Sequence, residues 1–338
     1  MNKVKNEFFI RLREARRMMG LSMQKLADKT GGVVSKQCIS RYEAGAMYPR
    51  SDILISIAKA LDISEEYFFS EGVSINMPAL RSTASRELTA DEQSVIEARI
   101  SFWIERYMRA EQCADFSPKP FVNPLVSVEV KTKEQAINAA NAVRETWHQG
   151  DGPIPSILRL LERKSIVVMA DDLSENILGL STWTDTNRPL IVLETNEKKT
   201  TVERLRFTAA HELAHLLLTF PDDMEKVTAE KLCNAFAGFF LLPRETFIEE
   251  IGAARRDRLV LEELVDLKDF YGISVSALVH NAYDIGMISR EHYDWWYDEN
   301  IKKNPKEVGW GSYMFPETLG REKRVRALVN ESNQNINN

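Results

Sequence analysis

The chain has no apolar run that approaches the roughly 20 residues needed to span a bilayer. Its first residues, MNKVKNEFFIRLREARR, lack the apolar h-region of a secretory signal. Cysteine is scarce, and Cys38, Cys113 and Cys233 lie too far apart for a disulfide framework or a thiolate zinc site. We therefore expect a cytoplasmic protein with reduced thiols and no membrane partner.

A strong excess of one charge is also missing, because the net charge of the 338 residues is -6. This average conceals an asymmetry. Residues 1–70 hold 12 Lys and Arg against 8 Asp and Glu, a net of +4, so the rest of the chain carries -10. The charge that favours contact with phosphates therefore lies in the N-terminal part.

Apolar periodicity, turns and prolines divide the chain into four parts. Residues 1–70 have the pattern of short amphipathic helices, and residues 71–124 that of a polar linker with one helix at about 89–113. Residues 125–290 form a second domain, and residues 291–338 form a C-terminal extension with a disordered tail. With 44% hydrophobic residues, both domains can bury a core.

The second domain begins with helices, continues with three runs rich in branched and aromatic residues that predict strands, and returns to helices. The predicted fold class is therefore mainly α with a small sheet, an all-α N-terminal domain followed by an α+β domain. The strands are predicted at 165–170, 178–183 and 190–195, and the later helices at 203–219, 229–242, 261–270 and 275–286.

Two capped helices joined by a turn are predicted within the N-terminal domain. Ser22 precedes the first helix, and Ser35 precedes the second, which ends near Gly45. Ile39 and Tyr42 can face the core, leaving the opposite side of the second helix for DNA bases and phosphates. An alternative is a helical bundle with a merely solvated charged face. The predicted DNA contacts are Ser35, Lys36, Gln37, Ser40 and Arg41.

The sequence His211-Glu212-Leu213-Ala214-His215 places two histidines four residues apart on one face of a helix. Such a pair can bind one metal ion, while Glu212 lies about 100° round the helix and remains available for proton transfer. In a peptidase this carboxylate takes a proton from water and passes it to the leaving amine. The alternative is a structural helix that carries the motif by chance.

A catalytic zinc needs a third protein ligand. Glu230 is the preferred candidate, because it lies in the first turn of the next helix, 15 residues after His215. Cys233 could face the metal, but a lone cysteine among apolar neighbours is more often a core residue. The other candidates are the loop acids Asp222, Asp223 and Glu225, while His148, His280 and His292 have no partner at ligand spacing.

The segment from Leu12 to Phe69 resembles the Cro/C1-type (XRE) helix-turn-helix family. LREARRMMGLSMQKLADKT, VSKQCISRYEAG and PRSDILISIAKALDISEEYFF carry this resemblance. Met23 stands where that family usually has Gln, and Gly31-Gly32 lengthens the turn. The resemblance implies that a dimer binds double-stranded operator DNA.

RFTAAHELAHLLL and EKLCNAFAGFFLLPRE resemble the ImmA/IrrE family of metallo-endopeptidases, which implies a zincin-like fold. Residue by residue, the resemblance implies that His211, His215 and Glu230 bind Zn²⁺ and that Glu212 is the general base. Cys233 replaces an Ala usual in the family. The implied substrate is a repressor-type protein.

The sequence therefore predicts a DNA-binding transcriptional regulator with a zinc-dependent endopeptidase domain. The rival hypothesis is a pure DNA-binding repressor or antitoxin-like protein, whose second domain senses or associates without cleaving. The helices predicted at 261–270 and 275–286 also resemble a helix-turn-helix. Their surroundings are acidic, which favours a packing role over a second DNA reader.

Overall fold

The computed structural model describes residues 2–69, 89–113, 118–125, 129–171, 173, 177–321, 323–325 and 327. It divides the chain into two units, and the boundary between them lies between Ser117 and Pro118. The second unit continues to Arg324, apart from residues 184–186, which cluster with the first. Residues 71–88 of the predicted linker and residues 328–338 of the predicted C-terminal extension lie outside the described residues.

The described elements of the first unit are all helical, which confirms its predicted class. Ser22 and Ser35 cap the second and third helices by accepting hydrogen bonds from the backbone N–H groups of Lys25 and Cys38. The helices are α1 Asn2–Met18, α2 Met23–Lys29, α3 Lys36–Glu43, α4 Ser51–Leu61 and α5 Ala90–Cys113, with a 3₁₀ turn at Glu65–Phe69. Their core includes Phe8, Leu12, Leu26, Ile39, Ile57 and Phe68.

Buried ion pairs fix these helices to one another. Glu43 of α3 accepts two hydrogen bonds from the guanidinium of Arg16 on α1, at 2.5 and 2.9 Å. Arg11 of α1 forms an ion pair with Glu105 of α5, and its guanidinium lies 4.1 Å from the ring centre of Tyr67. Helix α5 was predicted as part of a linker, but it packs on α1 and belongs to the first unit.

The second unit is α+β, as predicted. Its sheet has the order β1-β3-β2, with β1 parallel and β2 antiparallel to the central strand. The strands are β1 Val167–Asp171, β2 Gly179–Trp183 and β3 Pro189–Glu194. The helices are α6 Lys133–Thr146, α7 Ile157–Arg163, α8 Val202–Leu217, α9 Lys226–Leu241, α10 Arg244–Ile251, α11 Leu261–Tyr271, α12 Val275–Asp284 and α13 Arg290–Trp296, followed by a π-helical turn at Tyr297–Ile301.

Helix α9 is the centre of this unit, because α6, α8 and α12 all pack against it. Its apolar side is filled by Phe236, Phe239 and Phe240, all fully buried. Leu264 and Leu278, on the helices that we expected to have a packing role, are buried in the same core. The four predicted later helices match α8, α9, α11 and α12 within three residues at each end.

The C-terminal segment as far as Arg324 is part of the second unit. Arg206 of α8 is 0% exposed, forms an ion pair with Glu317, and donates to the carbonyls of Ile154 and Gly272 at 2.7 and 3.0 Å. Glu162 accepts hydrogen bonds from the backbone N–H groups of residues 320 and 321. The unit therefore extends beyond the domain end that we predicted at residue 290.

No helix in the described part of the chain combines the length and apolar character that crossing a bilayer requires.

Candidate metal centre and nucleic-acid interface

Helix α8 presents the two motif histidines side by side. Thr201 caps the helix by accepting from the backbone N–H of Arg204, and apolar residues such as Leu213 bury its inner face. The spacing of four residues brings the Nε2 atoms of His211 and His215 within 3.1 Å of each other. Both imidazoles are partly exposed, with side-chain exposures of 15% and 30%.

Glu230 reaches the same point from α9. Its carboxylate oxygens lie 3.2 Å from Nε2 of His211 and 3.5 Å from Nε2 of His215. One donor atom from each of the three side chains lies within 4.8 Å of the others, a spacing that fits a single metal ion. Among the described residues, this is the one such group, and it does not include Asp222, Asp223 or Glu225.

The electrostatics of this cluster favour a positive charge between its members. Hydrogen bonds from His211, and next from His215, hold the pKa of Glu230 well below its usual range. Burial tends to lower the pKa of His215, but hydrogen bonds with Cys233 and Glu230 raise it to about 11. A divalent cation at this position would have to displace protons, so its binding should depend on pH.

Each histidine is also held through its other ring nitrogen. Nδ1 of His211 lies 2.9 Å from Oδ1 of Asn234, and Nδ1 of His215 lies 3.6 Å from Sγ of Cys233. If Nδ1 carries the proton in both rings, both Nε2 lone pairs are free to bind metal. Cys233 is fully buried, as expected of a core residue, but it also contacts a candidate ligand.

Glu212 is not part of this ligand group, and its carboxylate contacts the sheet. It is 8% exposed and accepts a 2.7 Å hydrogen bond from Oγ of Ser181 on β2. Close approach of β2 and α8 requires glycine at position 179, since a Cβ there would lie 2.6 Å from Cγ2 of Thr208. Burial raises the pKa of Glu212, which strengthens this carboxylate as a base.

The candidate nucleic-acid interface lies on α3 in the first unit. Lys36, Gln37, Ser40 and Arg41 are exposed, whereas Ile39 and Tyr42 are buried, as the helical spacing predicts. The side chain of Ser35 is occupied as the N-cap, so its hydroxyl also has a structural role. In the preceding turn, Gly31 and Gly32 have φ values of +69° and +80°, which glycine adopts without strain.

Models of known protein families match both the helix-turn-helix region and the region of the candidate metal centre. A helix-turn-helix family model matches residues 12–68. The model of the IrrE N-terminal-like domain, a peptidase family, matches residues 161–283. The chain fuses an XRE-type helix-turn-helix domain to an IrrE-like domain. A search among curated proteins found no match.

The match to the IrrE-like domain runs from within α7 to within α12 and includes His211, Glu212, His215 and Glu230. The structure places two further elements against this region, α6 on α9 and the segment around Glu317 on α8. The IrrE-like fold of this chain therefore depends on residues on both sides of the matched range.

Three residues of the centre were missed by the sequence analysis: Ser181, Cys233 as a contact of His215, and Asn234. The spacing offers a signal for Asn234, because it follows Glu230 by four residues and so lies on the same face of a helix. No local signal identifies Ser181, because the strand pattern does not indicate which strand packs on α8.

Proposed function

We propose that the chain is a transcriptional regulator whose IrrE-like domain is a zinc-dependent endopeptidase acting on a repressor-type protein. The observation that carries this proposal is that the histidines and the glutamate of the α8 motif make different contacts. His211 and His215 converge with Glu230, while Glu212 turns to Ser181. Two imidazoles and one carboxylate are a ligand set typical of catalytic zinc with one open position.

Zinc bound by these residues would supply Lewis acidity to a water molecule and to the scissile carbonyl. Glu212 accepts the proton that the water loses, and then transfers it to the leaving amine. Ser181 fixes the rotamer of Glu212 by donating to Oε2, which leaves Oε1 for the proton. The burial of Glu212 supports its role as the base, since a carboxylate with a raised pKa accepts a proton more readily.

The N-terminal domain has the role of binding DNA in this proposal. We propose that the exposed side of α3 reads a double-stranded operator through Lys36, Gln37, Ser40 and Arg41, with the N-cap Ser35 beside the backbone. A homodimer on a two-fold symmetric operator and a cytoplasmic location belong to the same proposal. The net charge of +4 over residues 1–70 supports the attraction to phosphates.

The test is Glu212→Gln, which keeps the size of the side chain but removes its proton acceptor. The variant should retain about one zinc per chain, as expected of a base that is not a ligand, and should bind operator DNA normally. Cleavage of a co-expressed repressor should fall by orders of magnitude. His215→Ala should lose the zinc as well. Glu245→Gln changes an exposed carboxylate on α10 and serves as the matched control.

A reporter gene separates this proposal from the rival hypothesis. If proteolysis drives the switch, Glu212→Gln should hold expression in one state under the inducing condition. A Glu212→Gln strain that responds like the wild type would favour a pure DNA-binding regulator whose second domain senses or associates without cleaving.

A further inference from the structure

One turn of α9 contacts both histidines of α8. Glu230 begins this turn, and Cys233 and Asn234 follow three and four residues later, so all three side chains lie on the same face of the helix. Glu230 faces the Nε2 atoms, whereas Cys233 and Asn234 contact the Nδ1 atoms of His215 and His211. The two imidazoles are therefore held on both sides by consecutive groups of one helix.

The sulfur of Cys233 is placed to orient a ring and not to bind the metal. It lies 3.6 Å from Nδ1 of His215, on the opposite side of the imidazole from Nε2. The group of donor atoms that converge within 4.8 Å consists of His211, His215 and Glu230 and does not include the thiol. A thiolate ligand would need to lie about 2.3 Å from zinc.

We propose that Cys233 is a positioning residue for the metal ligand His215. Its sulfur accepts a hydrogen bond from Nδ1–H, which fixes the ring orientation and keeps the Nε2 lone pair directed at the cation. This inference rests on the proposed zinc site and deepens it, since it makes metal retention depend on a buried thiol. Asn234 has the corresponding position beside His211, with the stronger oxygen acceptor.

The burial of Cys233 is consistent with this role. The residue is 0% exposed, and its neighbours Leu232, Ala235 and Phe236 are also buried. Replacing Cys233 with alanine removes the sulfur and therefore leaves Nδ1 of His215 without this acceptor. Loss of such partners of metal-bound histidines typically lowers metal affinity by about 10–100-fold.

The experiment measures Zn²⁺ affinity of the full chain by competition with a chelator. Cys233→Ala should bind Zn²⁺ about 10-fold more weakly than wild type, at the lower end of the range for such partners because sulfur is a weak acceptor. Cys233→Ser restores a polar acceptor and should recover much of the affinity. Leu232→Val removes one buried methylene group from the same helix, and it should leave Zn²⁺ affinity unchanged if packing alone is not the cause.

Co²⁺ substitution gives a second readout that a purely structural role would not change. The visible absorption bands of bound Co²⁺ should shift in Cys233→Ala and in Cys233→Val, and should return towards wild type in Cys233→Ser. Cys233→Val keeps the site filled without an acceptor, so it replaces Cys233→Ala if the smaller residue prevents folding. Both variants would overturn the inference if they bound Zn²⁺ within twofold of wild type and kept the wild-type Co²⁺ spectrum.

Failure of the proposed function has a different signature. If wild type itself bound no stoichiometric Zn²⁺, both the zinc site and the role of Cys233 would be refuted. If wild type bound Zn²⁺ and all Cys233 variants bound it equally well, the inference about Cys233 alone would be wrong.

Discussion

Glu317→Gln is expected to be one of the most damaging single-atom changes in the IrrE-like domain. Glu317 is almost completely buried and pairs with Arg206, which is fully buried. The same carboxylate accepts hydrogen bonds from Oγ of Ser156 at 2.6 Å and from the backbone N–H groups of residues 157 and 158 at 3.0 and 3.2 Å. It therefore balances a buried guanidinium and also stabilises the first turn of α7.

The expected loss in the free energy of unfolding follows from the burial of Arg206. Glutamine keeps the shape of the side chain but leaves the guanidinium without a counter-charge, a change that typically costs about 3–5 kcal/mol. Arg206 keeps its bonds to the carbonyls of Ile154 and Gly272, which places our expectation near the lower bound. For a domain of this size, about 3 kcal/mol lowers the melting temperature by about 6–12 °C.

The assay is thermal and urea denaturation of the full chain, with unfolding monitored by circular dichroism. Glu291→Gln, an exposed carboxylate in the first turn of α13, is the matched control and should behave like wild type. The double variant Arg206→Met with Glu317→Gln should lose less stability than the two single changes added together, because the uncompensated charge is gone. A loss below about 1 kcal/mol for Glu317→Gln, as for a surface ion pair, would refute this reasoning.

Two further predictions concern DNA reading and pH. If the exposed side chain of Gln37 on α3 reads a base, Gln37→Ala should weaken operator binding by on the order of 1–3 kcal/mol and relax the sequence preference. Fluorescence anisotropy measures both affinities, and an equal loss of affinity for random DNA would contradict base readout. Burial, and next the charge of Arg258, lower the pKa of His292, whose Nε2 accepts from the backbone N–H of Leu259 at 2.9 Å. The pKa of His292 is lower in the folded than in the unfolded state, so its contribution to the free energy of unfolding is fully present above about pH 6.5. This contribution is lost as the pH falls below that value. His292→Gln should therefore flatten the acid side of a plot of melting temperature against pH.

Local chemistry explains why so many elements could be predicted from the sequence. Ser22 and Ser35 mark helix starts because their hydroxyls accept from N–H groups three residues later, and Pro243 ends α9 because proline cannot continue a helix. Helices α10 and α13, eight and seven residues long, were not predicted.

The parts that could not be predicted depend on pairs that are distant in the chain. Arg11 and Glu105 are 94 residues apart, and Arg206 and Glu317 are 111 apart, so no window of sequence contains both partners. These pairs assign α5 to the first unit and the segment around Glu317 to the second. A charged residue buried by its partner has the same local appearance as one on a solvated helix face.

In the candidate centre, too, some contacts follow from local sequence and others depend on packing between distant segments. His211 and His215 could be predicted as neighbours because an α-helix sets the distance between residues four apart. Glu230 could be chosen only as one of several acids, since the angle between α8 and α9 decides which of them reaches the histidines. The contacts of Ser181, Cys233 and Asn234 with Glu212, His215 and His211 depend on how β2, α8 and α9 pack. Substitutions at these three positions therefore offer a sharper test of the proposed chemistry than substitutions of the ligands, because they alter orientation while leaving every proposed ligand and the proposed base in place.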